Sequence, residues 1–204
     1  MLNRDKILDA SLELVDRDGP RGLTMRALAH RLHVTPTAIY HYFAGRDDLV
    51  EAVLDRTCAA IVGGVPGEGR WDRRLRALAV SLVEHSVAHP AVVNWAVTSH
   101  ARRRPVLRID EAILGLLAEA GFGPEAALHA KGTVLRYCIG HLVLHGLPEG
   151  EDWGRLPAGA FPHCRAAGPT REGLDGSTQF DRGLEAVLTG LAAGLLAAPR
   201  GATA

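Results

Sequence analysis

Apolar residues recur every three or four positions through most of the chain, and glycine and proline punctuate the runs. That period belongs to helices buried along one face. No stretch alternates apolar and polar residues as a half-buried strand does, so the expected fold class is all-α. Ile7, Leu8, Ser11, Leu12 and Val15 share one helical face, which ends at Gly19-Pro20. Thr24 is a good N-cap for a short helix over 25–31, with Leu28 and Leu32 facing inward. After a turn at His33-Val34, Thr35 is again a cap residue. Pro36 then falls at the first helical position, where its missing N–H costs nothing. This third helix is expected to run to about Tyr42, and Gly45 breaks it.

Asp47 and Asp48 open a longer helix and complement its dipole. Its stripe is Leu49, Val50, Val53, Leu54, Thr57 and Ile61, and it ends in the glycine- and proline-rich 63–67. Helices are expected further on from Trp71 to about His89, over 91–98, from Pro105 to 120, from Pro124 to about His145, and over 179–198. Residues 149–177 are rich in Pro and Gly with little periodicity and are expected to form a long mobile loop.

Composition removes several alternatives. The 204 residues carry 23 basic and 23 acidic groups, so the net charge is zero and a generally basic coat is excluded. Cys58, Cys138 and Cys164 are widely spaced and form no CxxC pair, which excludes a disulfide scaffold and a Cys-based zinc finger. The polar start, 1–6, is not a signal peptide. The charge-free run 186–199 is shorter than the roughly 20 residues that span a bilayer. A cytoplasmic protein without a membrane partner is expected.

The charges are sorted along the chain. From Gly19 to Arg46 there is no Asp or Glu, while Arg21, Arg26, Arg31, Arg46, His30, His33 and His41 all fall there. Tyr40, Tyr42 and Phe43 cluster in the same window. Two short helices joined by a tight turn, the second opened by Thr-Pro, form a helix-turn-helix pattern. Carboxylates on such a surface would meet a duplex carrying one phosphate per about 1.7 Å. Double-stranded DNA is therefore the expected partner.

The stretch 22–49, with Leu23-Thr24-x-Arg26-x-Leu28-Ala29, then Leu32-x-Val34, Tyr40, and Arg46 before the next helix, resembles the DNA-binding domain of the TetR family of regulators. The resemblance implies that Arg26 reaches a base or phosphate from the second helix. It implies that Thr35, Pro36, Thr37, Tyr40, His41 and Tyr42 line the recognition helix, and that Arg46 clamps phosphate. It places Ala27, Leu28, Ala29, Leu32, Val34, Ala38, Ile39 and Phe43 in the core. His33 departs from the family, which often has Gly in this turn, and a positive φ would strain it.

The rear of the chain is similar to the C-terminal domain of the tetracycline repressors, through 98–105, 116–122, 126–128 and 180–191. The implied organisation is a helix-turn-helix domain over 1–46 and a ligand-binding and dimerisation domain over 47–204. The resemblance implies a homodimer paired through 124–145 and 179–198. Gly183, Gly190, Ala193, Gly194 and Ala197 permit close helix approach there, and Val187, Leu188, Leu191, Leu195 and Leu196 leave the last helix apolar nearly all round. His100 matches a residue that takes part in ligand–metal coordination, and Arg104-Pro105 matches a ligand-responsive loop. Leu78 or a neighbouring Leu replaces an expected polar pocket residue, and Leu142 to Leu144 replace an expected carboxylate. A more apolar effector, such as a polyketide or other aromatic metabolite, fits better than a tetracycline–magnesium complex. Leu78, Leu82, Trp95, Leu116, Leu135 and Tyr137 are candidate lining residues, with ordinary core as the alternative for each.

Two His pairs stand one helical turn apart, His85/His89 and His141/His145, a spacing able to hold a metal. They leave a His-based metal-binding helical enzyme as the competing class. The first pair lacks the Glu of a zincin, and no GxSxG, P-loop or strand-linked GxGxxG is present. No cofactor and no metal are expected. The expected function is a ligand-responsive transcriptional repressor released from its operator by a small molecule, and not an enzyme.

Overall fold

The computed structural model describes residues 1–98, 104–145, 152–172 and 175–197. Ten α-helices and one 3-10 turn are formed among them: α1 (Arg4–Asp18), α2 (Met25–Leu32), α3 (Pro36–Tyr40), α4 (Arg46–Gly63), α5 (Trp71–Ala88), α6 (Pro90–Thr98), α7 (Arg104–Glu119), α8 (Pro124–His145), the 3-10 turn Trp153–Arg155, α9 (Pro162–Glu172) and α10 (Gly176–Ala197). The chain divides into two compact units, Met1–Lys131 and Gly132–Ala204, and the division passes through α8.

In the first unit α1, α2, α3 and the start of α4 close around Ile7, Leu14, Val15, Leu23, Leu28, Ile39, Phe43, Leu49 and Val50. Val92 of α6 joins this core, and Trp95 packs against its edge. The next turns of α4 continue inward through Leu54, Cys58 and Ile61. Helix α7 packs along α4 and contributes buried Ile109, Ile113, Leu116 and Leu117. Arg108 Nε donates to Asp55 Oδ1 at 2.6 Å across that pair, and Lys131 pairs with Asp110 at 3.0 Å. Helix α4 thus touches both the helix-turn-helix core and the α5–α7 body.

In the second unit Val134, Cys138, Phe180, Leu184 and Leu188 bring α8 against α10. Tyr137 stacks on Phe180 with ring centroids 5.5 Å apart, and its hydroxyl donates to the Phe180 carbonyl at 2.8 Å.

Most expected helices form, with three differences. Helix α3 stops at Tyr40 because the Tyr42 and Phe43 N–H groups both bond to the Ile39 carbonyl and tighten the chain into a turn. Helix α10 begins at Gly176, before the expected 179, because the Asp175 carboxylate accepts the Thr178 N–H at 2.8 Å. The stretch 149–177 is not one long loop: it contains the 3-10 turn and the eleven-residue α9. Gly168 of α9 packs directly on the Gly154 backbone, and the Arg171 guanidinium lies 4.7 Å from the Trp153 ring centre. Gly168 and Pro169 hide this helix from composition, since the residues that suit the close packing are those that weaken a helical pattern.

Candidate nucleic-acid interface

The second and third helices are set by local chemistry. Thr24 Oγ1 accepts the Ala27 N–H at 3.1 Å and caps α2. At the other end His33 adopts φ 54, ψ 43, the left-handed conformation. The Val34 N–H reaches the Ala29 carbonyl at 3.0 Å and the His33 N–H reaches that of His30 at 3.2 Å. That pair of bonds is a Schellman cap, which turns the chain sharply into α3. Thr35 is the N-cap of α3 but makes no capping bond through its side chain.

Helix α3 buries Ile39 completely and exposes Thr37 and Tyr40. Thr35, Pro36, Thr37, Tyr40, His41 and Tyr42 form one exposed surface, with Tyr40 52% and Tyr42 36% accessible. Arg26, His30 and His33 are exposed beside it. The expected core residues Leu28, Ala29, Ile39 and Phe43 are buried, and Ala27, Leu32 and Val34 pack against them. Arg31 is ion-paired with Glu13 of α1.

Arg46 sits half-buried. Its Nε donates to the Leu23 carbonyl and its Nη2 to the Pro20 carbonyl, both at 2.8 Å. Its guanidinium lies 5.7 Å from the Trp95 ring centre. In the structure Arg46 therefore braces the start of α4 against the α1–α2 loop. The Asp48 carboxylate accepts the Ala44 N–H at 2.9 Å and fixes the same junction. A contact that sequence reasoning missed is Arg4, whose Nη1 donates to the Tyr42 carbonyl at 3.0 Å. No local pattern signals a bond that spans 38 residues.

The candidate effector residues are distributed. Leu78 and Pro105 are buried, Leu82 is half-buried, and Trp95 packs on the helix-turn-helix core. Arg104 lines an open cleft of about 1080 Å³ between α4 and α7, and Leu116 lines a smaller one of about 290 Å³. Leu135 and Tyr137 belong to the second unit. His100 lies outside the described residues.

The His pairs have other partners. His85 Nδ1 lies 2.8 Å from the Ser81 carbonyl, and His89 Nδ1 lies 2.7 Å from Asp16 Oδ2. His141 packs on Phe180 with centroids 4.7 Å apart, and the side chain of His145 lies outside the described residues. Among the described residues no group of three or more His, Cys, Asp or Glu is arranged around a metal position, and no helix is long and apolar enough to cross a membrane.

A short helix that presents hydroxyl, imidazole and aromatic groups on an acid-free face, held by a capped partner helix, defines a helix-turn-helix DNA-binding protein. Residues 7–53 match the family described as bacterial regulatory proteins, tetR family, and residues 64–195 match the tetracyclin repressor-like C-terminal domain. An HTH-type transcriptional regulator of Saccharopolyspora erythraea is 31% identical over 95% of this chain and 86% of its own length. The transcriptional regulator SCO7222 of Streptomyces coelicolor superposes with a TM-score of 0.80 at 28% identity, covering 95% of this chain and 99% of its own. The Streptomyces coelicolor protein ActR, solved in complex with (S)-DNPA, gives a TM-score of 0.67 at 25% identity over 95% and 98% of the two chains. The chain belongs to the TetR family of bacterial transcriptional regulators.

Proposed function

We propose that this regulator represses its target as a homodimer and leaves its operator when a small molecule binds the rear domain. The observation that carries the DNA half is the exposed, acid-free surface of α3 with Arg26 beside it. The N-terminus of α3 and the Thr35 and Thr37 hydroxyls face phosphate, while Tyr40 and His41 approach base edges and sugars and the Tyr42 hydroxyl is taken up by the Leu2 carbonyl. Arg46 contributes mainly by holding α4 on the helix-turn-helix, with its remaining Nη1 as a phosphate donor. The functional division is 1–46 for DNA and 47–204 for effector and dimer.

The dimer reading is supported by Ile139, Val143 and Leu144 of α8, which are 41%, 60% and 68% exposed. A second copy of the chain covers them, and two recognition helices then meet half-sites about 34 Å apart. The effector reading is supported by the tetracyclin repressor-like domain and by ActR, which binds (S)-DNPA. The apolar character of Leu78, Leu82 and Leu116 favours a polyketide or other aromatic metabolite. Such a ligand acts by binding the two positions of α4 unequally. Because α4 packs on both α1 and α7, a displacement on the α7 side reaches the recognition surface.

The test is binding of the full chain to duplexes that flank its own gene, measured across salt concentrations and with aromatic metabolites added. Specific binding that Tyr40→Ala weakens about tenfold or more, with helicity unchanged, is expected. Indistinguishable affinity for all duplexes overturns the reading.

A further inference from the structure

We propose that Arg4 is a positioning residue for the recognition helix, acting through the backbone of Tyr42 and the ring of Phe43 rather than on DNA. The inference rests on the reading of α3 as the recognition helix. Helix α3 has only five residues, too few to hold helical geometry alone. Its last turn is closed by the tight turn in which the Tyr42 and Phe43 N–H groups share the Ile39 carbonyl, and the Thr35 hydroxyl gives its N-terminus no bond. Its geometry must be imposed from outside.

Ile39 and Phe43 fix the buried side. The exposed end is held by the chain's first residues. Arg4 Nη1 donates to the Tyr42 carbonyl at 3.0 Å, and its guanidinium carbon lies 4.2 Å from the Phe43 ring centre. The Tyr42 hydroxyl donates back to the Leu2 carbonyl at 2.9 Å. Residues 2 and 4 thus grip residues 42 and 43 through a reciprocal pair of bonds and one stacked contact. The gripping end is itself rigid, because the Asn3 side chain accepts the Lys6 N–H at 2.9 Å and caps α1. A planar guanidinium can stack on a ring and donate to a carbonyl at once; an ammonium cannot do both equally well. The surroundings of Arg4 also differ from the acid-free face, since it lines the α4–α7 cleft together with Asp48 and Glu51. Its charge is placed for internal architecture.

The experiment uses full-length protein, a duplex enriched from a randomised pool by the wild-type chain, and a shuffled duplex of equal length. For Arg4→Gln the ratio of the two affinities is expected to fall about tenfold, with binding to the shuffled duplex and the salt slope unchanged. Tyr42→Phe, which removes the other bond and leaves every charge in place, is expected to lower the ratio severalfold. The double variant is expected to be no worse than about twofold below Arg4→Gln, because both changes release one clamp. Helicity and melting of each variant are followed in parallel, and Tyr42→Phe carries the test if Arg4→Gln unfolds.

Equal weakening on both duplexes, with a slope shallower by about 0.9 and full rescue by Arg4→Lys, identifies a direct phosphate contact and overturns the proposal. An unchanged ratio in both variants also overturns it. Failure of the wild-type chain to prefer the enriched duplex refutes the DNA reading, and the clamp falls with it.

Discussion

Gly183 offers a test in which two effects of a single methyl group oppose each other. It lies in α10, where Gly→Ala normally stabilises a helix by up to about 1 kcal/mol. A Cβ at this position would stand 2.2 Å from the Tyr137 Oη, 2.8 Å from its Cζ and 3.0 Å from its Cε2. The ring must therefore retreat by about an ångström to reach ordinary contact. It is not free to do so: the hydroxyl donates to the Phe180 carbonyl at 2.8 Å and the ring stacks on Phe180. The retreat breaks that bond, at about 1 kcal/mol. Strain in the α8–α10 contact adds about 1–3 kcal/mol. Set against the propensity gain, Gly183→Ala is expected to destabilise by about 1–3 kcal/mol. Urea unfolding at fixed protein concentration, followed by circular dichroism, measures it. In a Tyr137→Phe background the cost should shrink by about 1 kcal/mol, since the bond is already absent and the nearest atom is gone. A Gly183→Ala protein as stable as wild type, or strict additivity in the cycle, refutes the argument that α8 and α10 meet through this glycine.

Two further predictions concern single residues. His33→Gly relieves the left-handed conformation and should stabilise the helix-turn-helix by up to about 1 kcal/mol, whereas β-branched His33→Val should lower its stability by a similar amount, read as protection of the Val34 amide from hydrogen exchange. Burial raises the Cys58 thiol to about 11, with Asp55 adding to the shift, and raises Cys138 to about 12, so both stay protonated and unreactive at pH 8. Half-buried Cys164 should be the only thiol titrated by Ellman's reagent before denaturation. Because the folded-state values of the two buried thiols are raised, their contribution is intact below the ordinary thiol pKa of 9.0, and stability should decline as pH rises from there toward 11.

The helix-turn-helix was legible because its determinants are local. The Thr24 cap, Pro36 at the first position of α3 and the acid-free window all lie within 28 residues, and the burial of Leu28, Ile39 and Phe43 follows from helical period alone. The positive φ at His33 was foreshadowed by the glycine that the family often has in this turn. Contacts between distant residues were not legible. Arg46 resembled a phosphate clamp, and only the folded chain shows its donors on Pro20 and Leu23. Helix α9 escaped notice because Gly168 and Pro169 lower its helical signal, while its packing on the Gly154 turn cannot be read from period. The candidate effector residues were least legible: an apolar helical residue reads the same whether it faces a ligand or a neighbouring helix, and Leu78 is fully buried in either case.

The charge pattern follows from the same division between surface and brace. The acid-free window suggests a strongly cationic surface, yet Arg31 is neutralised by Glu13 and Arg46 is held by two carbonyls. Arg21 and Arg26 remain as exposed arginines of that window. So few cations give a small share of sequence-independent attraction, since that share grows with the number of phosphates neutralised. On the proposed function, discrimination comes from the Thr35 and Thr37 hydroxyls, the Tyr40 phenol and the His41 imidazole, which act only when they are held in register with the bases. On that reading a short recognition helix of modest charge depends on its braces, the proposed Arg4 clamp at one end and the Schellman turn at the other. The proposed release by a ligand then needs only small movements of the supporting helices to switch binding off.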